Sequence, residues 1–372
     1  MNRPILIFRT GQLGDALVSL PAIQEIRRLH LNQSLVLLTE KHETNSCVST
    51  WDVLKCTGWF EDVIFYTFTK SIFRRFFTLL QLVFRIRLLR PEKLYYLSQP
   101  LRSQTQTWRD QFLFRVALGI RECYGLTKIG YPPKKDGVLP HSIPEWQRLL
   151  NIVKLDNGSL ITKTDTAAKF VNLEVAPDDK RQAEKILSRY GILISSITIA
   201  LGVGSKMQAK RWPVERYAEL VRRLLKKYPS INFIILGAKE DYDISEKIAQ
   251  AHKGRVFNLA GATSIMESAA VLKRCLCYVG NDTGTMHLAA AVNTLCVAIF
   301  SARDYPGRWE PFGDKNIIFR TEIDCAGCFL QECIERKQEC ITKINVDNVY
   351  QAVCRVVENT KNINILNVGG AA

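Results

Sequence analysis

The second half of the chain alternates short apolar runs with amphipathic segments of helical period, and this alternation constrains the fold more than any other feature. Most of the apolar runs end in a glycine-containing turn, and a segment of helical spacing follows. The predicted strands lie at 197–201, 231–236, 256–259, 276–279 and 295–300, and the predicted helices lie at 213–227, 241–251, 264–273 and 283–292. Such alternation predicts a parallel sheet with helices on both faces.

The first half opens in the same way. An apolar run at 5–9 ends at Thr10-Gly11, a single helix is predicted from 15 to 29, and the next strand is predicted at 34–39. Further strands at 63–66 and 94–97 flank a long helix near 70–90. Since 372 residues are too many for one ordinary core, we expect two domains. Their predicted bounds are 1–170 and 171–350, with a C-terminal helix or tail at 351–372.

The chain is strongly basic, with 51 Lys and Arg against 36 Asp and Glu and a net charge of +15. Residues 1–150 hold 21 Lys and Arg against 12 Asp and Glu, a net of +9, so most of the excess lies in the first half. A basic protein of this kind has three candidate partners: nucleic acid, an anionic membrane surface or a phosphorylated small molecule.

The apolar runs are too short for export or for a membrane span. The run at 4–8 is shorter than the ~7–15 residues of a signal-peptide core, and the run at 76–84 is shorter than the ~18 residues of a spanning helix. Eleven cysteines in 372 residues are too few for a disulfide scaffold and indicate free thiols. We therefore expect a cytoplasmic protein.

Three turn segments combine glycine or helix starts with groups that suit a phosphorylated ligand. In the first, Gly11 permits close approach to the backbone, and Asp15 is either a catalytic group or a plain helix cap. In the second, Lys210 and Arg211 precede a helix, which suits a diphosphate and equally suits a solvated loop. The third begins a helix at Asp282, straight after a buried strand.

With these segments in this order, the chain resembles glycosyltransferase family 9, the family of ADP-heptose:lipopolysaccharide heptosyltransferases. The similar segments are RTGQLGDALVSLPAIQEIRR, AKRWPVERYAEL, NLAGATSIMESAAVLKRCLCYVGNDTGTMHLAAA and the SARDYPGRWEPFG that follows. They cover about residues 5–38 and 197–350, whereas residues 40–170 show no match. The absence of G-x-G-x-x-G disfavours a dinucleotide-dependent oxidoreductase.

The resemblance implies an α/β GT-B fold, in which two Rossmann-like domains with parallel sheets face each other across a cleft. It implies that Asp15 is the general base for the acceptor hydroxyl and that Lys210 neutralises the donor diphosphate. Either Glu240 or Asp241 would bind the ribose hydroxyls. The other implied donor-binding residues are Thr10, Gly11, Asp282, Thr283, Gly284 and His287.

The activity that the resemblance implies is inverting, metal-independent transfer of a sugar, by default heptose from ADP-heptose. The implied acceptor is a lipopolysaccharide core, O-antigen or another anionic surface glycolipid or polysaccharide. The implied location is the inner face of the bacterial cytoplasmic membrane. No cofactor is expected for catalysis, because Lys210 and the helix N-terminus would take the place of a metal. Asp241 and Asp243 form a D-x-D pair of the kind that binds metals, but they fall at a predicted helix start, where acids are common.

A cysteine-rich segment and a basic helix are further candidate sites. Cys325, Cys328, Cys333 and Cys340 can form a structural zinc or iron site, or remain reduced thiols or adventitious disulfides. The helix near 70–90 alternates aromatic and basic residues, and its predicted acceptor or membrane surface consists of Arg74, Arg75, Arg85 and Arg87. A core-packing helix with a solvated basic face is the alternative.

Two other functions have weaker support. A nucleic-acid-binding protein needs basic residues and stacking aromatics on one face, and residues 70–93 alone resemble this. That function leaves the segments around Lys210 and Asp282 unexplained, so we expect no nucleic-acid partner. A non-catalytic membrane-binding module is the other alternative.

Overall fold

The computed structural model describes residues 3–41, 48–67, 72–99, 103–127, 130–157, 173–193 and 196–368. The chain divides into two compact units. Unit 1 comprises Met1–Pro133 and Ile143–Val171, and unit 2 comprises Lys134–Ser142 and Asn172–Ala372. The short segment 134–142 therefore belongs to unit 2, although the chain on both sides of it belongs to unit 1.

Unit 1 is a five-stranded parallel sheet with helices. Its elements are β1 (Ile5–Phe8), α1 (Leu13–Val18), α2 (Leu20–Leu29), β2 (Leu35–Glu40), α3 (Thr50–Leu54), β3 (Asp62–Tyr66), α4 (Ile72–Leu89), β4 (Lys93–Tyr96), α5 (Gln104–Gln111), β5 (Glu122–Tyr124) and α6 (Glu145–Asn157). A π-helical segment, Phe112–Ala117, continues α5. The strand order is β3-β2-β1-β4-β5, and every pair is parallel.

The period-2 pattern of β1 and β4 sends alternate side chains to opposite faces of this sheet. Phe8 and Tyr96 stack at 4.7 Å between ring centroids and share a buried cluster with Ile86 of α4. On the opposite face the hydroxyl of Tyr95 lies 2.9 Å from Nε2 of His30 and donates to Asp156 at 2.5 Å. Both faces of the sheet are therefore covered.

The first helical region is two helices, so the prediction of a single helix from 15 to 29 is wrong. α1 ends at Val18, and Ser19 donates its hydroxyl to the carbonyl of Ala16 at 2.6 Å. Pro21 lies in the first turn of α2. Because proline has no N–H and favours the first turn of a helix, the chain starts a new helix at this point.

Unit 2 is a six-stranded parallel sheet with helices. Its elements are α7 (Pro177–Arg189), β6 (Thr198–Gly202), α8 (Val214–Lys227), β7 (Asn232–Ile235), α9 (Tyr242–Ala251), β8 (Val256–Asn258), α10 (Ile265–Arg274), β9 (Cys277–Asn281), α11 (Gly284–Ala291), β10 (Leu295–Phe300), β11 (Ile317–Arg320), α12 (Glu339–Thr342) and α13 (Val346–Val368). The strand order is β11-β10-β9-β6-β7-β8, with every pair parallel. The prediction of two parallel-sheet α/β domains is confirmed.

Each sheet has a topological switch point, where the direction of strand addition reverses. In unit 1 the switch point lies between β1 and β4, and in unit 2 it lies between β6 and β9. Ligands of open α/β sheets bind beyond the carboxyl ends of the strands at such points. Within the part of the chain that the structure describes, no helix combines the length and the apolar character that a bilayer span requires.

Candidate functional site

Asp15 lies at the switch point of unit 1. Its Oδ2 accepts a hydrogen bond from the backbone N–H of Gln12 at 3.0 Å, so the carboxylate does cap α1. Its Oδ1 accepts from the side-chain amide of Gln99 at 2.8 Å, and Gln99 follows β4. The Asp15 side chain is 15% exposed. Nη2 of Arg9 also lies 3.7 Å from Oδ1. A carboxylate that is fixed by these contacts and still reaches solvent has the geometry that a general base needs.

A buried guanidinium fixes the turn that carries Asp15. Arg9 is fully buried, and it donates from Nη1 to the carbonyl of Leu97 at 2.7 Å and from Nε to the carbonyl of Asp15 at 3.0 Å. Burial lowers the pKa of Arg9, and the carboxylates of Asp15 and Glu145 oppose this effect. Glu145 is itself paired with Arg148 at 2.6 Å. Arg9 therefore connects the start of α1 to the residue that follows β4.

Gly11 is required by the close approach of Asp15. Its φ is +120°, and a Cβ at this position would lie 2.5 Å from Cβ of Asp15. The Gly11 N–H donates to Oε1 of Glu40 at 2.9 Å, and its carbonyl accepts from the hydroxyl of Thr50 at 3.3 Å. Thr10, which precedes it, is half-buried. Thr10, Gly11 and Asp15 thus form one turn at the carboxyl end of β1.

Asn281 fixes the switch point of unit 2. It is fully buried at the end of β9, and its Oδ1 accepts from the N–H of Trp212 and the hydroxyl of Tyr217, both at 3.0 Å. Its Nδ2 donates to the carbonyls of Val203 at 2.9 Å and Gly204 at 3.3 Å. One side chain therefore holds the glycine-containing turn after β6 and the start of α8 against the end of β9.

Lys210 and Asp282 form an ion pair beside this switch point. Nζ of Lys210 lies 2.6 Å from Oδ2 of Asp282, and the side chains are 15% and 8% exposed. An ammonium group has three N–H donors. Lys210 can therefore contact a phosphate oxygen while it keeps its bond to Asp282, and the carboxylate sets the direction of the lysine.

The first turn of α11 continues from Asp282. Thr283 is its N-cap residue and Gly284 its first helical residue, and the free N–H groups of such a turn suit an anion. His287 is 3% exposed, and its ring centroid lies 6.2 Å from that of Trp309 in an edge-on arrangement. The structure thus brings Lys210, Asp282, Thr283, Gly284 and His287 into one region at the start of α11.

The acidic pair after β7 divides into a half-buried and an exposed member. Asp241 accepts from the N–H of Ala238 at 3.0 Å and packs against Gly204 and Gly237, where a Cβ on Gly237 would lie 2.9 Å from its Oδ2. Burial raises the pKa of Asp241, and the Ala238 hydrogen bond opposes this shift. Glu240 is exposed. Of the two candidates for a ribose contact, Asp241 is the one at the glycine-containing turn.

Gln99 and Arg320 are candidate site residues that the sequence does not single out. Arg320 ends β11, and burial lowers its pKa against the opposing carboxylates of Asp304 and Asp282. Its Nη2 donates to the carbonyl of Asp304. A single basic residue at the end of the apolar run at 317–320 was the available signal for Arg320. Gln99 had none, because its role depends on the pairing of β4 with β1.

The cysteine-rich segment packs against the turn that carries Lys210. The N–H of Ala209 donates to the carbonyl of Gln331 at 2.9 Å, the amide of Gln338 donates to the carbonyl of Gln208 at 3.0 Å, and the N–H of Cys333 donates to Oε1 of Gln208 at 3.2 Å. These contacts support the segment that leads to α8.

The cysteines themselves are free thiols. Burial raises the pKa of Cys340, with smaller contributions from Cys325, Cys333 and Cys328. Across the described ranges, His, Cys, Asp and Glu side chains form no group of three or more that could hold a metal ion. The described thiols therefore do not form the arrangement that a zinc or iron site needs.

The predicted acceptor or membrane surface is partly described. Arg85 and Arg87 are exposed on α4. Arg85 pairs with Asp62 at 3.2 Å, and Nε of Arg87 donates to the carbonyl of Ala117 at 2.8 Å. The side chains of Arg74 and Arg75 lie outside the described residues.

Comparison with known proteins agrees with the motifs. Residues 156–339 match the family model described as glycosyltransferase family 9 (heptosyltransferase). Lipooligosaccharide heptosyltransferase 2 of Haemophilus influenzae is 36% identical over 116 residues, 30% of this chain and 33% of that protein. The aligned part thus spans about a third of that relative's length.

Solved structures match over nearly the whole chain. A glycosyltransferase family 9 structure from Veillonella parvula has a TM-score of 0.71 at 16% identity, covering 96% of this chain and 97% of that one. Escherichia coli ADP-heptose LPS heptosyltransferase II has a TM-score of 0.66 at 18% identity, covering 96% and 99%. With the two parallel-sheet units, these matches define the GT-B fold class.

Within that class the chain is similar to glycosyltransferase family 9 (heptosyltransferase), both in its motifs and in the family-model match over residues 156–339. The resemblance predicted from the three motifs is confirmed.

Proposed function

We propose that this chain is an inverting, metal-independent glycosyltransferase that transfers heptose from ADP-heptose to a lipopolysaccharide core, O-antigen or related surface acceptor. The observation that carries the proposal is the Lys210–Asp282 pair at the start of α11, because it places a directed cation beside free helix amides. The same residues belong to the motif that the family model covers.

On this proposal, unit 2 binds the donor. The first-turn amides of α11 and the ammonium of Lys210 contact the diphosphate, and Arg320 adds a second cation within electrostatic reach of Asp282. Asp241 at the glycine-containing turn accepts hydrogen bonds from the ribose hydroxyls. These groups stabilise the negative charge that develops on the leaving nucleoside diphosphate.

Unit 1 supplies the base. Asp15 accepts the proton of the acceptor hydroxyl as the new bond forms between that oxygen and the anomeric carbon. The bond from the anomeric carbon to the diphosphate oxygen breaks, and its electron pair leaves with ADP. A single displacement from the side opposite the leaving group inverts the anomeric configuration. Gln99 and the N–H of Gln12 hold the carboxylate in place during this step.

The proposed acceptor is an anionic glycolipid or polysaccharide precursor at the inner face of the cytoplasmic membrane. Residues 1–150 carry a net charge of +9, which is consistent with a phosphorylated acceptor that binds to the N-terminal part of the chain. The proposed function includes no nucleic-acid partner.

A donor screen tests the proposal. The purified full chain is incubated with ADP-heptose, ADP-glucose, GDP-mannose and UDP-glucose, and binding is followed by calorimetry. We expect saturable binding of ADP-heptose and weak binding of the other three donors. In a transfer assay, extracted acceptor should gain the mass of one heptose. The rate of this transfer should be the same with and without EDTA. An anomeric configuration in the product equal to that of the donor would reject inversion. A rate that falls to background in EDTA and returns with a divalent cation would reject metal independence.

A further inference from the structure

Among the described residues of unit 1, most of the large apolar side chains that are exposed lie on two neighbouring helical elements. Of the large hydrophobic side chains that are exposed, seven lie on α4: Phe73, Phe76, Phe77, Leu79, Leu80, Phe84 and Leu88. Three more lie on α5 and its π-helical continuation: Trp108, Phe112 and Val116. Scattered exposed apolar residues are normal, but a contiguous set on neighbouring elements indicates a binding surface.

The spacing of these residues makes continuous stripes. On α4, Phe73, Phe77, Leu80, Phe84 and Leu88 recur at intervals of three and four, so they share one helix face. Trp108, Phe112 and Val116 recur at intervals of four. Phe73 is 81% exposed and Trp108 is 62% exposed, so neither stripe is covered by the described remainder of the chain.

The two stripes face the same way. Ile86 of α4 and Phe114 of the π-helical segment are buried in one cluster on a single face of the sheet. Nε of Arg87 donates to the carbonyl of Ala117 at 2.8 Å, which joins the two elements. Because both elements cover the same sheet face with their inner sides, their outer sides point away from it together. We call these ten exposed side chains the α4–α5 surface.

The charges around the α4–α5 surface are positive. The sequence of α4 contains four arginines and no acidic residue. Arg87 and Arg115 are exposed, whereas Arg85 pairs with Asp62 and Arg109 with the buried Asp110. The carbonyl that Arg87 contacts has no net charge to neutralise it. Aromatic and aliphatic side chains set among arginines match the interface of an anionic bilayer.

A second copy of the chain fits this surface less well. Self-association through it would bring the arginines of one copy towards those of the other, and like charges oppose such a contact. We propose that the α4–α5 surface docks unit 1 on an anionic lipid bilayer, with α4 lying along the membrane surface. The inference deepens the proposed function, because an acceptor anchored in a bilayer must be reached at that surface.

Vesicle flotation of the full chain tests this inference. Vesicles of phosphatidylcholine mixed with phosphatidylglycerol should carry the protein upward at low salt, and pure phosphatidylcholine should not. Two double variants remove the stripes one at a time: Phe77→Ser with Phe84→Ser, and Trp108→Ser with Phe112→Ser. Each should weaken binding by about tenfold or more, since each removes two large apolar groups from the contact. Arg87→Gln and Arg115→Gln should each weaken it about fivefold.

The matched control is Leu193→Ser with Ile334→Ser, which changes two exposed apolar residues of unit 2. It should float like the unmodified chain. ADP affinity, measured on every variant, separates folding defects and donor binding from lipid binding. Flotation without any nucleotide-sugar binding would reject the proposed function and leave this inference standing.

Two outcomes would overturn the inference while the proposed function survives. The first is a protein that binds its donor yet stays with the lipid-free fraction at low salt. The second is that the unmodified chain self-associates, and that either stripe variant is a monomer whose flotation is unchanged. The α4–α5 surface would then be a contact between copies of the chain.

Discussion

The side-chain amide of Gln99 donates to the carboxylate of Asp15 across the switch point of unit 1, with 2.8 Å between Nε2 and Oδ1. The contact links the turn after β4 to the first helix after β1. Because Gln99 is neutral, it orients the carboxylate without pairing with it as a cation would. Gln99 is thus a positioning residue for the proposed base.

Replacing Gln99 tests this role. Gln99→Leu removes a hydrogen bond to a charged group, which contributes about 1.5–3 kcal/mol, so kcat should fall by about tenfold or more. ADP affinity should not change, since Asp15 and Gln99 are both in unit 1. Steady-state kinetics measure this, with Gln250→Leu on the exposed face of α9 as the control. Equal kcat values for the two variants would show that Gln99 has no positioning role.

Asp15→Asn removes the proposed base while keeping the size of the side chain. Turnover should fall by at least about 10²-fold, the usual contribution of general base catalysis. The amide oxygen can still accept from Gln12, so folding and ADP binding should be retained. Single-turnover assays with calorimetry separate the two effects, and a variant within a few-fold of the unmodified rate would contradict the role assigned to Asp15.

Variants of the Lys210–Asp282 pair should change the stability of the protein and its ADP affinity independently. Lys210→Met leaves a mostly buried carboxylate without its cation and should cost about 3–5 kcal/mol of unfolding free energy. Adding Asp282→Asn removes that carboxylate, so the double variant should regain much of the stability. ADP affinity should remain low in both, because the cation is missing. Urea titration and calorimetry on the two variants measure this, and recovery of affinity in the double variant would argue against a phosphate contact by Lys210.

Gly11→Ala should damage both folding and activity. The residue has φ +120°, and the new Cβ would meet Asp15 at 2.5 Å, so we expect a loss of about 2 kcal/mol or more of unfolding free energy. Gly130→Ala is the control, since its Cβ would meet nothing within 4 Å. Urea unfolding compares them, and equal midpoints would show that the turn relaxes easily.

Asp241→Asn should stabilise the protein and weaken donor binding. Burial raises the pKa of Asp241, so its contribution to stability is present below the unfolded value of about 3.9 and is lost as pH rises through the folded pKa. At pH 7 the buried ionised carboxylate is therefore destabilising, and the Asn variant should gain about 2 °C in Tm.

The gain from Asp241→Asn should vanish near about pH 3, where the Asp241 carboxyl is protonated in both the folded and the unfolded chain. ADP affinity at pH 7 should fall, since a neutral amide accepts hydrogen bonds from ribose more weakly. Asp243→Asn, on the exposed side of α9, should change neither quantity. A lower Tm for Asp241→Asn at pH 7 would mean that its hydrogen bond from Ala238 outweighs the burial.

Strands and motif positions were accessible from the sequence because their signals are local. β10 occupies 295–300 as predicted, and the Ser264 capping box forms as its spacing indicates, with Glu267 accepting from the Ser264 N–H at 2.7 Å. Buried parallel strands are continuous apolar runs, and glycine-containing turns mark their ends. Lys210 and Asp282 stand out because each flanks a helix start after such a strand.

What the sequence does not reveal depends on contacts between distant segments. α6 lies in a region without a clear hydrophobic pattern. The charges of its Glu145 and Arg148 matter because they act on the buried guanidinium of Arg9, which lies more than 130 residues earlier along the chain. Gln99 becomes relevant because β4 pairs with β1. The break at Ser19 reflects Pro21, whose effect on the helix outweighs the apolar spacing on either side.

The segment 134–142 gives the two units different requirements during synthesis. Ser142 donates its N–H to the carbonyl of Pro306 at 2.8 Å, and a Cβ on Gly327 would lie 2.9 Å from Leu139. These partners leave the ribosome more than 160 residues after the segment itself. Unit 1 can therefore assemble early, whereas the segment 134–142 can pack only after its partners in unit 2 have been made. A C-terminal fragment beginning at 173 would lack the contacts that this segment makes. A fragment designed to contain unit 2 should therefore include residues 134–142.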